Sequence, residues 1–345
     1  MSGTEPHSHC PKNRYLSRME TNESLSPATE APRDPATISP SAYSLLLMKA
    51  RTSIPYAREA AALLQKKSAP TEPALPSVPA DAPVFDTAAY WASVLHFESR
   101  YWSINQLLAD LTATNILEIS SGFSFRGLAL SNTLPVYYID TDLPNIIAGK
   151  QGFVDAFTAA PNPAEPNQPP TKANPAGHYE LHPLNALDPA AFEAIIARFP
   201  PGPLTIVNEG LLVYLDDTEK KQLCANIRKA LLNRGGHWIT ADIYVRKGER
   251  TEAASQPAEA AKPADNQHPL WRKWSEEHKL EEKKFTSFHD AEAFFNAAGF
   301  KLDKEAKPDY SQLTSLSQYL KTAGPQRQGA HKVRQHATWL LTPIA

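Results

Sequence analysis

One short stretch carries the residue types from which a ligand site could be built. Residues 115–127 have the sequence Asn-Ile-Leu-Glu-Ile-Ser-Ser-Gly-Phe-Ser-Phe-Arg-Gly, an apolar run with one acid, Glu118, that breaks into a small-residue turn at Gly122. A glycine in such a turn lets the backbone approach a ligand where a Cβ would collide. Strand, tight turn and helix start are typical of the first unit of a nucleotide-binding α/β sheet. The turn is not a full G-x-G-x-x-G, so this signal is weak by itself.

A second acid strengthens the interpretation. Residues 136–140, Val-Tyr-Tyr-Ile-Asp, predict a strand that ends at Asp140. Nucleoside-binding folds keep a carboxylate about 20 residues after the first turn to bind ribose hydroxyls. Asp140 could instead cap the following helix. Asp142 is interpreted as that cap, because it precedes Leu-Pro and Pro144 suits the first turn of a helix.

Composition narrows the class of protein. The 345 residues have a formal net charge of −2, 42% hydrophobic residues and two cysteines, Cys10 and Cys224. The near-neutral charge argues against nucleic acid as a main partner. Two distant cysteines provide neither a disulfide framework nor a four-ligand zinc site, and the histidines lack metal-ligand spacing, so no metal is expected. Neither a membrane span of about 20 apolar residues nor a signal peptide is evident, and a cytoplasmic enzyme is expected.

Proline-rich and polar stretches indicate how the chain is organised. Residues 1–38 are rich in Pro, Ser and Glu, a composition that predicts a disordered tail. A linker is predicted at 70–83. Segments near 159–177 and 247–268 are predicted to be disordered insertions, because strands and helices alternate again after each. The remaining chain, 39–345, is therefore expected to form one domain.

Between these breaks, apolar runs and amphipathic stretches alternate. Strands are predicted at 116–120, 136–140, 178–181, 204–208, 238–243, 299–302 and 337–341. Helices are predicted at 42–66 with a kink at Pro55, 88–111, 125–133, 144–157, 188–198, 216–233, 271–284 and 288–298. This predicts a Rossmann-like α/β fold with a seven-stranded, mostly parallel sheet and an antiparallel terminal strand pair. Helices 42–66 and 271–284 are expected to form a lid.

Four ordered segments carry a family resemblance. They lie at 98–108 in the helix before the first strand, at 116–130, at 138–150, and at 208–215, which has the sequence Asn-Glu-Gly-Leu-Leu-Val-Tyr-Leu. Together they resemble the leucine carboxyl methyltransferase-like family, whose corresponding motifs include L-G-A-G-L-D-T-R and E-G-Φ-Φ-x-Y-L. This group includes bacterial O-methyltransferases associated with polyketide synthesis. The resemblance covers roughly residues 40–345 and implies a class I methyltransferase with S-adenosyl-L-methionine as cofactor.

The resemblance also implies a set of cofactor-binding residues. Arg100 would hold the cofactor carboxylate, with Lys49 and Arg51 as weaker candidates for the same role. The full set of expected cofactor-binding residues is Arg100, Glu118, Gly122, Asp140, Asn185 and Glu209. Two positions depart from the family pattern. Ser120 stands at the first glycine, and Asn185 stands where the family has Asp-Leu beside the adenine, although its amide can still form a hydrogen bond.

The expected reaction is an in-line displacement that moves a methyl group to an oxygen of a small molecule or peptide. A carboxylate acceptor is ionised near neutral pH and needs no base, whereas a phenol with a pKa of about 10 would require one, such as His182 or His237. No histidine is placed convincingly, so no catalytic residue is predicted and carboxylate methylation is mildly favoured. Two alternatives stay open: a nicotinamide-dependent oxidoreductase, and a non-catalytic nucleoside-binding module. The sequence does not indicate an oligomeric state.

Overall fold

The strands of the domain form one sheet whose order is not the order of the chain. The computed structural model describes residues 39–67, 87–159, 176–246, 276, 279–323 and 336–345, which fall within one compact unit, Pro35–Ala345. The strands are β1 (Asn115–Ile119), β2 (Tyr137–Asp142), β3 (His178–Pro183), β4 (Leu204–Asn208), β5 (Gly236–Tyr244), β6 (Phe300–Glu305) and β7 (His336–Pro343). Their spatial order is β3-β2-β1-β4-β5-β7-β6.

The first five strands are parallel, and β7 runs antiparallel to both β5 and β6. Parallel pairing follows from the helical crossovers between successive strands, which return the chain to the same edge of the sheet. This is a Rossmann-like α/β sheet of seven strands, mostly parallel with an antiparallel terminal pair, so the predicted sheet architecture is confirmed. A doubly wound dehydrogenase would instead carry six parallel strands.

Helices cover both faces of the sheet. They are α1 (Ser39–Lys49), α2 (Ala57–Lys67), α3 (Ala88–Asp110), α4 (Arg126–Ser131), α5 (Pro144–Thr158), α6 (Pro189–Ile196), α7 (Asp217–Arg234), α8 (Phe288–Ala297) and α9 (Leu316–Ala323). Alternate strand residues face opposite sides. Leu117 packs with α6, α7 and α8, whereas Ile116 packs with the apolar face of α3.

Side chains at the helix starts explain several element bounds. Thr87 accepts a hydrogen bond from the Tyr90 amide at the start of α3, and Asp216 forms a capping box with Glu219 at the start of α7. The predicted helix 42–66 is two helices, α1 and α2, and the break between them contains Pro55.

Two expectations about the second half of the chain need comment. Of the predicted helix 271–284, the structure describes only residues 276 and 279–284, and residues 279–283 form turns and not a helix. Helix α9 was not predicted from the sequence. Its N-terminus is anchored by Glu98 of α3, whose fully buried carboxylate accepts hydrogen bonds from the backbone and hydroxyl groups of Thr314 and Ser315.

The tail 1–38 and the linker 70–83 lie outside the described residues, as do most of the two predicted insertions. None of the described helices is long and apolar enough to cross a membrane.

Candidate functional site

The site lies at the carboxyl edge of the sheet, where β1 and β4 are neighbours. From this point the chain winds outward through β2 and β3 on one side and through β5 on the other, which makes it a topological switch point. The turn after β1 contains Ser120 (φ 54°) and Gly122 (φ 50°), and the turn after β4 contains Gly210 (φ 85°). These left-handed conformations shape the two turns at the place where sheets of this kind have their ligand-binding crevice.

Glu209 is the centre of a group of buried charges beside this crevice. Its Oε1 accepts hydrogen bonds from Lys49 Nζ at 2.8 Å and from Arg100 Nη2 at 3.1 Å. Its Oε2 accepts from Arg126 Nη2 at 2.8 Å. Burial opposes ionisation of this carboxyl, but the three cations outweigh burial and hold the pKa of Glu209 well below its usual range. Glu209 is therefore a carboxylate at neutral pH.

Arg126 connects Glu209 to Glu118 on β1. The fully buried guanidinium donates to Glu118 Oε1 and Glu209 Oε2, and its Nε donates to Asn105 at 2.9 Å. It also lies over the Tyr101 ring, 4.5 Å from the centroid. Burial disfavours the charge on Arg126, but the neighbouring carboxylate of Glu118 raises its pKa well above the ordinary value. Lys49, Arg100, Glu118, Arg126 and Glu209 are called the buried charge cluster below.

Glu118 makes its contacts inside the protein. Its second oxygen accepts a hydrogen bond from Tyr138 Oη at 2.5 Å, so both carboxylate oxygens bind protein groups. The side chain is fully buried. Its direct effect is to hold Arg126 in place.

Asp140 lies at the other side of the β1 turn. Its Oδ2 contacts Lys150 Nζ at 2.7 Å and accepts from Tyr179 Oη at 2.6 Å, while Lys150 also donates to Ser121 Oγ at 2.9 Å. Its Oδ1 is buried and has no hydrogen-bond partner among the described residues. A buried carboxylate oxygen in this state requires an explanation, and a ligand hydroxyl would supply one.

The predicted helix-cap role of Asp142 is wrong. Its two oxygens accept hydrogen bonds from the backbone amides of Gly122 and Leu143, each at 2.7 Å. The N-cap of α5 is Leu143, which makes no side-chain cap. Asp142 therefore fixes the glycine turn after β1 from the neighbouring strand.

Asn185 lies on the loop between β3 and α6, at the same edge of the sheet. It is exposed, and its Oδ1 accepts a hydrogen bond from the Leu187 amide at 3.1 Å. The structure thus brings Arg100 into direct contact with Glu209 and connects Glu118 to Glu209 through Arg126. It places Gly122, Asp140 and Asn185 on the adjoining turns and strand.

The two histidines considered as bases are not in the cluster. His237 is the second residue of β5, at the amino end of that strand, so it lies at the opposite edge of the sheet from the crevice. His182 is on the edge strand β3, where its Nε2 hydrogen-bonds to Glu180 Oε2 at 2.5 Å. Within the described part of the chain, no group of three or more His, Cys, Asp or Glu side chains could hold a metal ion.

Sequence reasoning undervalued four residues of this region. Lys49 is only a weaker candidate there, and the expected cofactor-binding set does not include Arg126, Asp242 or Tyr244. An acid within an apolar strand had already singled out Glu118. The same signal is present in Trp-Ile-Thr-Ala-Asp-Ile-Tyr at 238–244 and would have identified Asp242.

No protein-family model matches the chain, and no curated protein matches it. Among solved structures, it is similar to the mitomycin 7-O-methyltransferase MmcR, with 12% identity and a TM-score of 0.40 over 74% of this chain and 56% of that one. It is also similar to magnesium protoporphyrin IX methyltransferase (ChlM) from Synechocystis PCC 6803 with bound SAH, with 6% identity and a TM-score of 0.41 over 85% and 98%.

A third similar structure is LepI in complex with SAM, with 13% identity and a TM-score of 0.37. The match covers 67% of this chain and 43% of LepI, so the chain spans less than half of that protein's length. Matches with such low scores do not indicate an activity. The function is therefore inferred from the sheet order and the residues of the site.

Proposed function

We propose that the protein is a methyltransferase that uses S-adenosyl-L-methionine and moves the methyl group to an oxygen of a small molecule or peptide. The observation that carries the proposal is the placement of the buried charge cluster and Asp140 on either side of the β1 turn, at the switch point of this sheet. A nucleoside that bears an amino acid needs a cation for its carboxylate, an anion for its amino group and an acceptor for its ribose hydroxyls. The site supplies all three.

The residues fit the cofactor group by group. Arg100 and Lys49 provide buried cations for the carboxylate, and Arg100 Nε is a buried donor with no partner among the described residues. Glu209 provides the anion for the amino group. Asp140 Oδ1 is the unpaired acceptor for the ribose, and Asn185 is assigned to the adenine end. Gly122 keeps the turn between these ends free of a Cβ, with open space around it.

The bound cofactor supplies an electrophilic methyl on a sulfonium, so the protein does not have to activate the donor. The buried charge cluster binds and orients the amino-acid end of the cofactor, and burial restricts the movement of Lys49 and Arg100. Lys49, Arg100 and Arg126, the last held by Glu118, keep Glu209 ionised. A carboxylate acceptor with a pKa of about 4 is already ionised and requires no base. Carboxyl methylation therefore agrees with a site in which neither histidine considered as a base belongs to the cluster.

The resemblance to the leucine carboxyl methyltransferase-like family is part of the proposal. The segments that carry it contribute Arg100, Gly122, Asp140 and Glu209, and all four lie along one edge of the fold. The parallel strands place the last three there, whereas Arg100 comes from α3, and its contact with Glu209 Oε1 at 3.1 Å supports the resemblance. The oxidoreductase alternative is disfavoured by the antiparallel strand β7 at a position where a dehydrogenase has a parallel one.

Calorimetric titration with S-adenosylmethionine, S-adenosylhomocysteine and NAD tests the proposal. The first two should bind and NAD should not. Binding of NAD alone would reject the methyltransferase and favour the oxidoreductase, and absence of binding by all three would reject the assignment. For the acceptor, aliphatic carboxylates and phenols can be offered with methyl-labelled cofactor. A product that loses its label in mild alkali is an ester, whereas an ether keeps it.

A further inference from the structure

Two side chains at the carboxyl end of β5 contact the surroundings of the residues proposed to hold the cofactor: Asp242 binds the chain on both sides of Glu209, and Tyr244 binds Arg100. Asp242 Oδ1 accepts a hydrogen bond from the Gly210 amide at 2.6 Å, and its Oδ2 accepts from the Leu211 and Leu212 amides at 2.6 and 3.1 Å. Asp242 is 1% exposed. Three successive backbone N–H groups converging on one carboxylate form a nest that determines the path of the chain. This chain segment begins directly after Glu209, so Asp242 sets the turn from which Glu209 extends.

A second contact fixes the orientation of Asp242. Asn208 Nδ2 donates to Asp242 Oδ2 at 2.6 Å, and Asn208 Oδ1 accepts from Trp238 Nε1 at 2.7 Å. The indole can only donate, so the amide of Asn208 must present its nitrogen to Asp242. Asn208 and Gly210, the residues on both sides of Glu209, are therefore hydrogen-bonded to Asp242 of β5.

Tyr244 lies two residues after Asp242 and contacts Arg100, the hydrogen-bond partner of Glu209. Its Oη accepts a hydrogen bond from Arg100 Nη1 at 2.6 Å and hydrogen-bonds to His96 Nε2 at 2.8 Å. Burial raises the pKa of Tyr244 to about 12, although Arg100 opposes the shift, so the phenol keeps its proton at neutral pH. Because the phenol oxygen accepts from Arg100, its proton is directed to His96.

The contacts of Arg100 leave Nε as the guanidinium donor available to a ligand. Nη2 reaches Glu209, and Nε has no partner among the described residues. Arginine binds a carboxylate best with two parallel N–H donors. A guanidinium held at Nη1 has its plane fixed before the ligand arrives, which reduces the entropy cost of binding.

We propose that Asp242 and Tyr244 are positioning residues for the amino-acid end of the cofactor, acting through Glu209 and Arg100 respectively. This inference rests on the proposed function. The carboxyl end of β5 thus orients both Arg100 and Glu209.

The test compares two ligands, one with the amino-acid group of the cofactor and one without it. S-adenosylhomocysteine carries the amino-acid group and adenosine does not. Tyr244→Phe and Asp242→Asn should each weaken S-adenosylhomocysteine binding about tenfold, the loss expected for a hydrogen bond to a charged group. Adenosine binding should stay unchanged, because its ribose and adenine contacts lie on β2 and the loop after β3. The control is Tyr310→Phe, which removes the hydroxyl of an exposed tyrosine.

A double-mutant cycle completes the experiment. In an Arg100→Ala background, Tyr244→Phe should have no further effect on S-adenosylhomocysteine binding, because Arg100 is the group through which it acts. Equal weakening of both ligands, or wild-type affinity in both single variants, overturns the inference. A wild-type protein that binds neither ligand rejects the proposed function itself, so the two failures differ. Melting curves of each variant identify any that fails to fold, and the other variant then decides.

Discussion

Lys49 and Glu209 are 160 residues apart in the chain, yet Lys49 Nζ donates to Glu209 Oε1 at 2.8 Å inside the protein. Lys49 is the last residue of α1, so this ion pair attaches the first described helix to the turn after β4. Burial lowers the pKa of Lys49, and the attraction of Glu209 opposes that shift. A buried cation of this kind depends on its partner to remain charged.

Glu209→Gln is expected to destabilise the protein more than Lys49→Met. The glutamine would remove the carboxylate from Lys49 and Arg100 and leave Arg126 with Glu118, whereas the methionine leaves Glu209 with Arg100 and Arg126. Removing one member of a buried ion pair typically costs about 3–5 kcal/mol. Urea unfolding of both variants at pH 7 measures the difference. Equal losses would show that Lys49 alone accounts for the stability that Glu209 provides.

The penalty of Glu209→Gln should shrink as the pH falls. A carboxyl whose pKa is depressed in the folded protein contributes stability that is present above its unfolded pKa, about 4.3, and is lost as the pH falls toward the depressed value. The cations Lys49, Arg100 and Arg126 depress the pKa of Glu209 against the effect of burial. We expect the difference between wild type and variant to fall by about 1–2 kcal/mol between pH 7 and pH 3.

The control for this pH series is Glu193→Gln, which removes an exposed carboxylate on α6. Its stability should follow the wild-type pH dependence. A Glu209→Gln penalty that stays constant over the same range would mean that the cluster does not depress the pKa of Glu209.

Asp140→Asn should weaken S-adenosylhomocysteine binding about tenfold, because an amide replaces a charged acceptor of ribose hydroxyls. Asparagine keeps the shape of the side chain, so Lys150 and Tyr179 retain an oxygen to contact. Calorimetric titration gives the affinity, with Glu193→Gln as the matched acid-to-amide control. An affinity equal to wild type would remove Asp140 from the site.

Arg100→Lys should recover only part of the affinity lost in Arg100→Ala. Lysine keeps the charge but cannot form the planar two-donor contact, and its flexible stem must be ordered on binding. Cofactor occupancy should also increase hydrogen-exchange protection across α3, which carries Arg100. Unchanged protection in residues 88–111, together with normal binding by Arg100→Ala, would reduce Arg100 to a structural partner of Glu209 and Tyr244.

Ser120→Gly should be neutral or stabilising by up to about 1 kcal/mol. Ser120 has a φ of 54°, a left-handed conformation in which a Cβ costs about 1–2 kcal/mol, and the greater freedom of unfolded glycine offsets part of the gain. Thermal unfolding of the variant tests this. A loss of more than about 1 kcal/mol would show that the Ser120 side chain makes contacts that compensate for its conformation.

The sequence by itself determined which segments form strands and helices and which residues follow the parallel strands. Strand and helix patterns are local, and parallel strands place the residues after them along one edge, so Gly122, Asp140 and Glu209 could be assigned to a common region. The position of Arg100 on the helix before β1 also came from a local motif. None of these assignments required knowledge of distant contacts.

Only the tertiary structure decided which charges meet. Arg126 binds both Glu118 and Glu209, Lys49 reaches Glu209 from another helix, and Asp242 holds the turn after β4. Local patterns indicate that a residue is acidic or that a helix begins. They do not indicate which distant element packs against that residue. For the same reason Asp142 was assigned to a helix cap, although its carboxylate binds the Gly122 amide of the neighbouring strand's turn. The partner of a buried charge is set by packing between elements far apart in the chain, because only packing removes the water that would otherwise solvate that charge.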